Sequence, residues 1–345
     1  MIRAIDFFCG GGGMTYGLRD AGIEVIAGVD LARDCETTYE SNNAGSRFVC
    51  ADIKALPLDY FETEFGIQRN DDELLLVGCS PCQYYSIINT TREKSKLSKD
   101  LLLDFMRFVE YYNPGFVLVE NVPGLLSRED SAFPEFIRFL KAHVTYGIVN
   151  MSYYGVPQTR RRFSLVASRL GDVRMPDKDA RQKLLSEFIG TKRGLKNIPA
   201  GHTDSSDFMH STMRLAPINM ERLLRTSKNG GSRMEWKDDE ELQLKCYIGK
   251  DNSFRDVYGR LRWNRPSSTI TTNFIKITSG RFAHPCENRG LSIREGARLQ
   301  TFPDSYVFRG GNMTVNARII GNAVPPEYAR RLGALLLKLQ HEYNG

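Results

Sequence analysis

Four consecutive glycines constrain this chain more than any other feature: Ile5-Asp6-Phe7-Phe8 runs into Cys9-Gly10-Gly11-Gly12-Gly13-Met14. Glycine has no Cβ, so a turn of this kind lets backbone amides approach a ligand at the start of the helix that follows. A short apolar strand, a glycine turn and a helix together open a doubly wound α/β fold. The dinucleotide version of that turn is tested first. Counted from Gly10, the pattern Gly-x-Gly-x-x-Gly ends on Thr15, and counted from Gly11 it ends on Tyr16. Neither frame completes the fingerprint, so the turn does not read as a pyrophosphate cradle.

The rest of the first half supports the same fold. Apolar runs at 4–8, 24–29, 74–77, 116–119 and 163–167 read as buried parallel strands. Between them, Leu101, Leu102, Phe105, Phe108, Val109 and Tyr112 recur at helical spacing, and Asn113-Pro114-Gly115 stops the helix. From about residue 170 to 270 the periodicity dissolves into Gly, Ser, Asn and charge-rich segments, after which 291–300 and 327–343 are again helical. The expected organisation is α/β: a doubly wound, mostly parallel sheet in residues 1–169, a smaller irregular lobe in 170–270, and a helical return in 271–345 that completes the first domain.

Charge and cysteine content narrow the function classes. The net charge of +6 is modest, yet residues 171–265 hold 19 Lys and Arg against 14 Asp and Glu, which suits a polyanion and equally suits a solvated surface. Seven scattered cysteines read as free thiols. No apolar run approaches the roughly 20 residues that cross a membrane, and no signal segment opens the chain, so it reads as cytosolic, away from membranes.

Three acidic strand ends and one cysteine carry the chemistry. Asp30 follows the second strand, at the distance from the glycine turn that suits both hydroxyls of a ribose. Asp52 closes the next short run, where it could accept from an adenine amino group. An adenosyl ligand without phosphates fits both positions, and helix capping is the competing reading of each. In Leu74-Leu75-Leu76-Val77-Gly78-Cys79-Ser80-Pro81-Cys82-Gln83, a cysteine stands just past a buried strand, where open α/β sheets keep their active sites. Cys79 and Cys82 could be a redox couple, half a zinc site or two small core residues. The other cysteines and the five histidines supply no second pair of metal ligands, so no metal site is expected. Glu120, at the end of Val117-Leu118-Val119-Glu120-Asn121-Val122-Pro123, is a carboxylate on a buried strand, costly unless it has a partner or a task.

These segments, taken in order, resemble the cytosine-5 DNA methyltransferases. The resemblance rests on Asp6 to Gly13 with Gly17-Leu18 and Ala21-Gly22, on Pro81-Cys82-Gln83, on Glu120-Asn121-Val122, and on Tyr154-Gly155-Val156-Pro157-Gln158-Thr159-Arg160-Arg161-Arg162. It continues through the segment from Arg289 to Asp304 and Gly321-Asn322-Ala323-Val324-Pro325-Pro326. Cys9, Cys79 and Gly296 stand where the family often has other small residues, and Tyr84-Tyr85 follow the cysteine. The resemblance implies an S-adenosylmethionine-dependent fold, with Phe8, Gly10, Gly11, Gly13, Asp30, Leu31, Asp52, Ile53, Pro81, Leu101, Asn322 and Ala323 lining the cofactor pocket.

It further implies that Cys82 is a nucleophile adding to C6 of cytosine, that Glu120 hydrogen-bonds the base, and that Arg160 and Arg162 hold the base and its developing charge. The irregular stretch then corresponds to the family's target-recognition lobe, in which Arg214, Arg222, Arg225, Lys228 and Arg233 are candidates for phosphates or base edges. The implied partner is double-stranded DNA with the target base turned out of the stack, the implied setting a restriction-modification system with a cognate restriction endonuclease, and the implied state a monomer. An RNA cytosine methyltransferase on the same scaffold and a catalytically idle DNA-binding relative are the alternatives.

Overall fold

The computed structural model describes residues 1–80, 101–127, 131–140 and 143–344. The chain packs as two compact units: residues 1–154, 161–178 and 324–345 form the first, and 155–160 with 179–323 the second. The expected boundary at 270 therefore falls inside the second unit. Of the stretch expected to complete the first domain, 271–323 belongs to the second unit, and the return comprises 324–345.

The first unit is built on seven strands, β1 (Arg3–Phe7), β2 (Glu24–Asp30), β3 (Arg47–Cys50), β4 (Leu74–Gly78), β5 (Phe116–Asn121), β6 (His143–Asn150) and β7 (Arg161–Ser168). Their order across the sheet is β3-β2-β1-β4-β5-β7-β6. The first five are parallel, and β7 runs antiparallel to both β5 and β6. The five strands read from apolar runs are all present, but the last, 163–167, read as parallel, is β7 and runs antiparallel, because an apolar run marks burial and not strand direction. β3, four residues long, was read only as the short run before Asp52, and β6 was not foreseen, being a partly exposed strand with no apolar run to mark it. Its eight residues are held by pairing with β7, a tertiary cause that local sequence does not record.

Alternation along β1 divides the layers. Ile5 and Phe7 enter one core, where Phe7 lies 5.0–5.5 Å, centroid to centroid, from the rings of Phe61, Phe105 and Phe108. Asp6 faces the other way, toward helix α1 (Gly13–Asp20), where Thr15 donates to it. Helices α2 (Glu36–Asn42) and α3 (Tyr60–Phe65) follow, then α4 (Leu101–Tyr112), which buries Leu102, Phe105, Phe108, Val109 and Tyr112 as its spacing predicts. Asn113 ends α4 in the left-handed region, φ 43°. The Tyr112 hydroxyl accepts from the amides of Phe61 and Glu62, satisfying two donors at the start of α3 that the helix itself leaves open. Two shorter helices, α5 (Gly124–Ser127) and α6 (Phe133–Leu140), precede β6.

The second unit has little regular structure: a hairpin of β8 (Thr203–Asp204) and β9 (Asp207–Ser211), and helices α7 (Pro217–Leu224), α8 (Ile293–Leu299) and α9 (Met313–Asn322). Irregular backbone leaves carbonyls without ladder partners, and buried guanidiniums supply the donors. Arg160, Arg233, Arg260 and Arg289 are among the largest fully buried side chains. Leu223, Trp236, Leu242, Val257, Tyr258, Ile277 and Ala283 form an apolar cluster in this unit.

The chain ends on α10 (Pro326–Asn344), which returns to the first unit against α1. Gly17 makes that contact possible. A Cβ there would stand 2.2 Å from the Pro326 carbonyl oxygen and 2.5 Å from Ala329 Cβ. None of the helices among the described residues is long and apolar enough to cross a membrane.

Candidate active site

The glycine turn joins β1 to α1 through an unusual backbone. Phe8, Gly10 and Gly12 have φ of 63°, 51° and 84°, and for an aromatic residue such a conformation is held against its own preference. The turn is locked from the side by Asp30, at the end of β2. Its two carboxylate oxygens accept from the Gly10 amide at 2.9 Å and the Ala32 amide at 2.8 Å. Among the described residues, a Cβ at Gly10 would meet nothing within 4 Å, so the turn is open to them on that side. Leu31, 68% exposed, follows Asp30 as an apolar residue left uncovered at a strand end. The Asp52 carboxylate accepts from the Lys54 amide in a local turn, Ile53 is buried in the core, and Leu101 begins α4 against that same core. Asn322 and Ala323 lie at the end of α9, in the second unit.

Beneath the turn sits a carboxyl that the sequence reading left unassigned. Asp6 is fully buried, and its Oδ2 accepts from the Thr15 hydroxyl at 2.7 Å, which continues to the Tyr39 hydroxyl and then Ser46. Burial, opposed by the Thr15 hydrogen bonds and reinforced by Asp30, pushes its pKa up to about 7. The same burial, with Asp6 close by, raises the Cys9 thiol well above its ordinary value.

The second half of the site stands at the ends of β4 and β5. Pro81 and Cys82 lie outside the described residues, and the segment leading to them is anchored at Ser80. Asn121 donates from Nδ2 to the Ser80 carbonyl at 3.2 Å and hydroxyl at 3.0 Å, while its Oδ1 accepts from the Val122 amide. Glu120, immediately before Asn121, is 7% exposed, and Arg162 Nε lies 3.4 Å from its Oε1. Arg162 comes from β7, whose Ser164 stands opposite Glu120 in the sheet and accepts a hydrogen bond from Tyr328 of α10. Burial, together with the Asp6 and Glu120 carboxylates, raises the Cys79 thiol well above its ordinary value. Cys79 is thus held as a thiol, a poor nucleophile.

Arg160, two residues before Arg162, belongs to the second unit and is engaged differently. It is 2% exposed, and its guanidinium donates to the carbonyls of Ile270, Gly321 and Ala323 at 3.1–3.3 Å. Gln158 donates to the Leu299 carbonyl and to Gln300 Oε1, and Gln300 donates to the Ile320 and Ala323 carbonyls. Sequence reasoning missed these glutamines and Asn121. Their hydrogen bonds reach backbone and side-chain atoms far along the chain, and no local pattern marks such a partner. Of the basic residues picked out as DNA contacts, Arg222 and Arg233 are corrected: both are buried. Arg222 donates to the Leu242 carbonyl and Arg233 to those of Lys250, Ser253 and Phe254.

Comparison with known proteins bears on the whole of this arrangement. A family model described as C-5 cytosine-specific DNA methylase matches residues 2–338. The Type II methylase M.HgiDII of Herpetosiphon aurantiacus is 35% identical over 337 residues, covering 94% of this chain and 92% of the relative. The Type II methyltransferase M.Eco47II of Escherichia coli is 29% identical over 359 residues, covering 100% of this chain and 81% of that relative. Among solved structures, a protein described as a DNA modification methyltransferase encoded within an Escherichia coli prophage is 21% identical. It superposes with a TM-score of 0.77 over 99% of this chain and 100% of its own, a likeness of fold. The sequence match along nearly the whole length, on a doubly wound and mostly parallel sheet, places the chain in the C-5 cytosine-specific DNA methylase family.

Proposed function

We propose that the protein transfers a methyl group from S-adenosylmethionine to C5 of a cytosine flipped out of duplex DNA, through a covalent bond between Cys82 and C6, as the modification enzyme of a restriction-modification system. The observation that carries this reading is the Asn121 clamp on Ser80. It holds the segment leading to Cys82 against the end of β5, beside the buried Glu120.

The residues around the glycine turn fit an adenosyl group. The turn is open at Gly10 among the described residues, the Asp30 carboxylate stands at its side at the end of β2, and the uncovered Leu31 offers an apolar surface to a purine. Phe8, Gly11, Gly13, Asp52, Ile53 and Leu101 complete the proposed pocket. When bound, the cofactor supplies an electrophilic methyl group on a sulfonium.

C5 of cytosine is a poor nucleophile within an aromatic ring. Addition of the Cys82 thiolate at C6 gives C5 enamine character, and later loss of the C5 proton with elimination frees the thiol. Glu120 holds the base by hydrogen bonds, and Arg162, paired with it, steadies the carboxylate and the charge that develops. The tie from Arg160 to Ile270, Gly321 and Ala323 makes it a positioning residue in this scheme. Turning the base out of the stack costs a few kcal/mol, offset by contacts to the basic second unit.

Cys82→Ser is expected to abolish transfer of labelled methyl to cytosine in duplex DNA and to form no adduct with 5-fluorocytosine DNA on a denaturing gel. Cys79→Ala is expected to keep both. Equal behaviour of the two variants overturns the assignment of the nucleophile, and transfer to tRNA in place of duplex DNA would redirect the substrate to RNA.

A further inference from the structure

Two surface cations of the second unit, Lys228 and Arg262, are mounted on a closely hydrogen-bonded loop. Residues 227–231 form a loop whose backbone groups are closely engaged. Glu235 accepts from the Ser227 amide at 2.7 Å, the Pro285 carbonyl from the Asn229 amide at 2.8 Å, and the Gly231 carbonyl from the Arg260 amide at 3.0 Å. The Arg281 guanidinium donates to the carbonyls of Gly230 and Gly231, at 3.1 Å each. Fully buried Arg260 gathers five acceptors at 2.6–3.1 Å: the carbonyls of Leu223, Thr226, His284 and Glu287, and Asn288 Oδ1. One guanidinium thus ties the 223–226 and 284–288 segments into a single platform. The backbone on it is unusual, with φ of 56° at Asn229 and 121° at Gly230. An irregular turn held this firmly is a feature its surroundings over-determine, as functional loops are.

What the platform presents is chemically specific. Asn229 Oδ1 accepts from the Trp263 amide at 2.8 Å, which sets the neighbouring Arg262 beside the loop. The stem of Arg262 lies across Gly230: a Cβ there would stand 2.2 Å from Arg262 Nε and 2.8 Å from its Cγ. Glycine is therefore required under this arginine for space as well as for its φ. Arg262 and Lys228 are exposed, and neither forms an ion pair among the described residues. Lys228 donates from Nζ to Asn288 Oδ1 at 2.7 Å, and burial, then the charge of Arg260, lower its pKa against the opposing Cys286 and Glu287. Exposed Asn264 and Arg265 continue the patch. A polyanion complements such a group of cations.

We propose that Arg262 reads a guanine edge in the recognition sequence while Lys228 grips an adjoining phosphate. The assignment rests on duplex DNA being the substrate. A guanidinium presents parallel N–H donors matched to guanine O6 and N7, and laying its stem over Gly230 reduces the rotamer freedom lost on contact. The lysine, a compact charge on a flexible stem, suits a phosphate, which positions without specifying.

The test uses the full chain, S-adenosylmethionine and a random-sequence duplex library, with cytosine modification read by bisulfite sequencing. Wild type is expected to show one sequence context. Arg262→Ala is expected to lose guanine preference at one position of it and to slow modification of the wild-type sequence about ten- to hundredfold. Arg262→Lys keeps charge and stem, and is expected to lose the same preference with an unchanged salt dependence of binding. Lys228→Ala is expected to keep the context, weaken binding uniformly, and reduce the slope of log affinity against log salt by about one. An Arg262→Ala context and rate identical to wild type overturns this assignment alone. A wild type that leaves every duplex cytosine unmodified overturns the substrate reading and the assignment with it.

Discussion

Asp6 and Glu120 are both buried carboxyl groups near the carboxyl ends of β1 and β5, the two strands that flank β4, and their surroundings give them different work. Glu120 has a guanidinium beside it, whereas Asp6 has a hydroxyl from Thr15 and the adverse charge of Asp30. With its folded pKa near 7 against 3.8 for an ordinary aspartate, Asp6 keeps its proton in the folded chain at pH values where the unfolded chain has released it. Its contribution to stability is therefore fully present below the ordinary carboxylate range and is lost as the pH rises through about 7. Asp6→Asn cannot ionise. Relative to wild type it is expected to gain roughly 2–3 kcal/mol between pH 5 and pH 8, measured as the shift in urea unfolding free energy. A gap between the two proteins that stays constant with pH would show that ionisation is not the cause.

At the scale of elements, α8 shows how the irregular unit fixes a helix. Ser292 caps it by accepting from the Glu295 amide, and the Glu295 carboxylate accepts from the Ser292 amide in return. The same carboxylate receives two hydrogen bonds from Arg289, at 2.7 and 2.9 Å. Burial opposes its ionisation, and the Arg289 charge and hydrogen bonds overcome that, holding Glu295 down to about 2. The stability this contributes is present above the ordinary carboxylate range and lost as the pH falls toward 2. Arg289→Met leaves a buried charge without its main partner and is expected to cost about 3–5 kcal/mol at pH 7. The loss should shrink as Glu295 becomes free to protonate on acidification. Denaturant midpoints at pH 7 and pH 5 decide it, and an equal loss at both would assign the effect to packing.

For the molecule as a whole, the first unit is discontinuous in sequence, and its last piece, 324–345, follows the second unit along the chain. The α1 surface at Gly17 is shaped to take Pro326 and Ala329, so a chain ending at Ala323 leaves it uncovered. Such a truncation is expected to lose the cooperative thermal transition of the first unit, followed by circular dichroism, and to regain it when a peptide of residues 324–345 is added. Retention of the full transition without the peptide would show that α10 is dispensable to the fold.

The strands of the parallel half, the α4 helix and the glycine turn were legible because each is written locally, in apolar runs, a three-and-four spacing, or residues that alone fit a backbone. The order of the motifs was enough to indicate the family. Tertiary structure decided what depended on partners distant in sequence: β6, which exists by pairing with β7; the place of 271–323, settled by packing; and the fates of the arginines. Arg222, Arg233 and Arg260 stand in the same basic stretch as Lys228 and Arg262, and nothing in composition separates buried struts from surface readers. The difference comes from which loop carbonyls needed donors once the backbone had closed, a demand that arises in three dimensions.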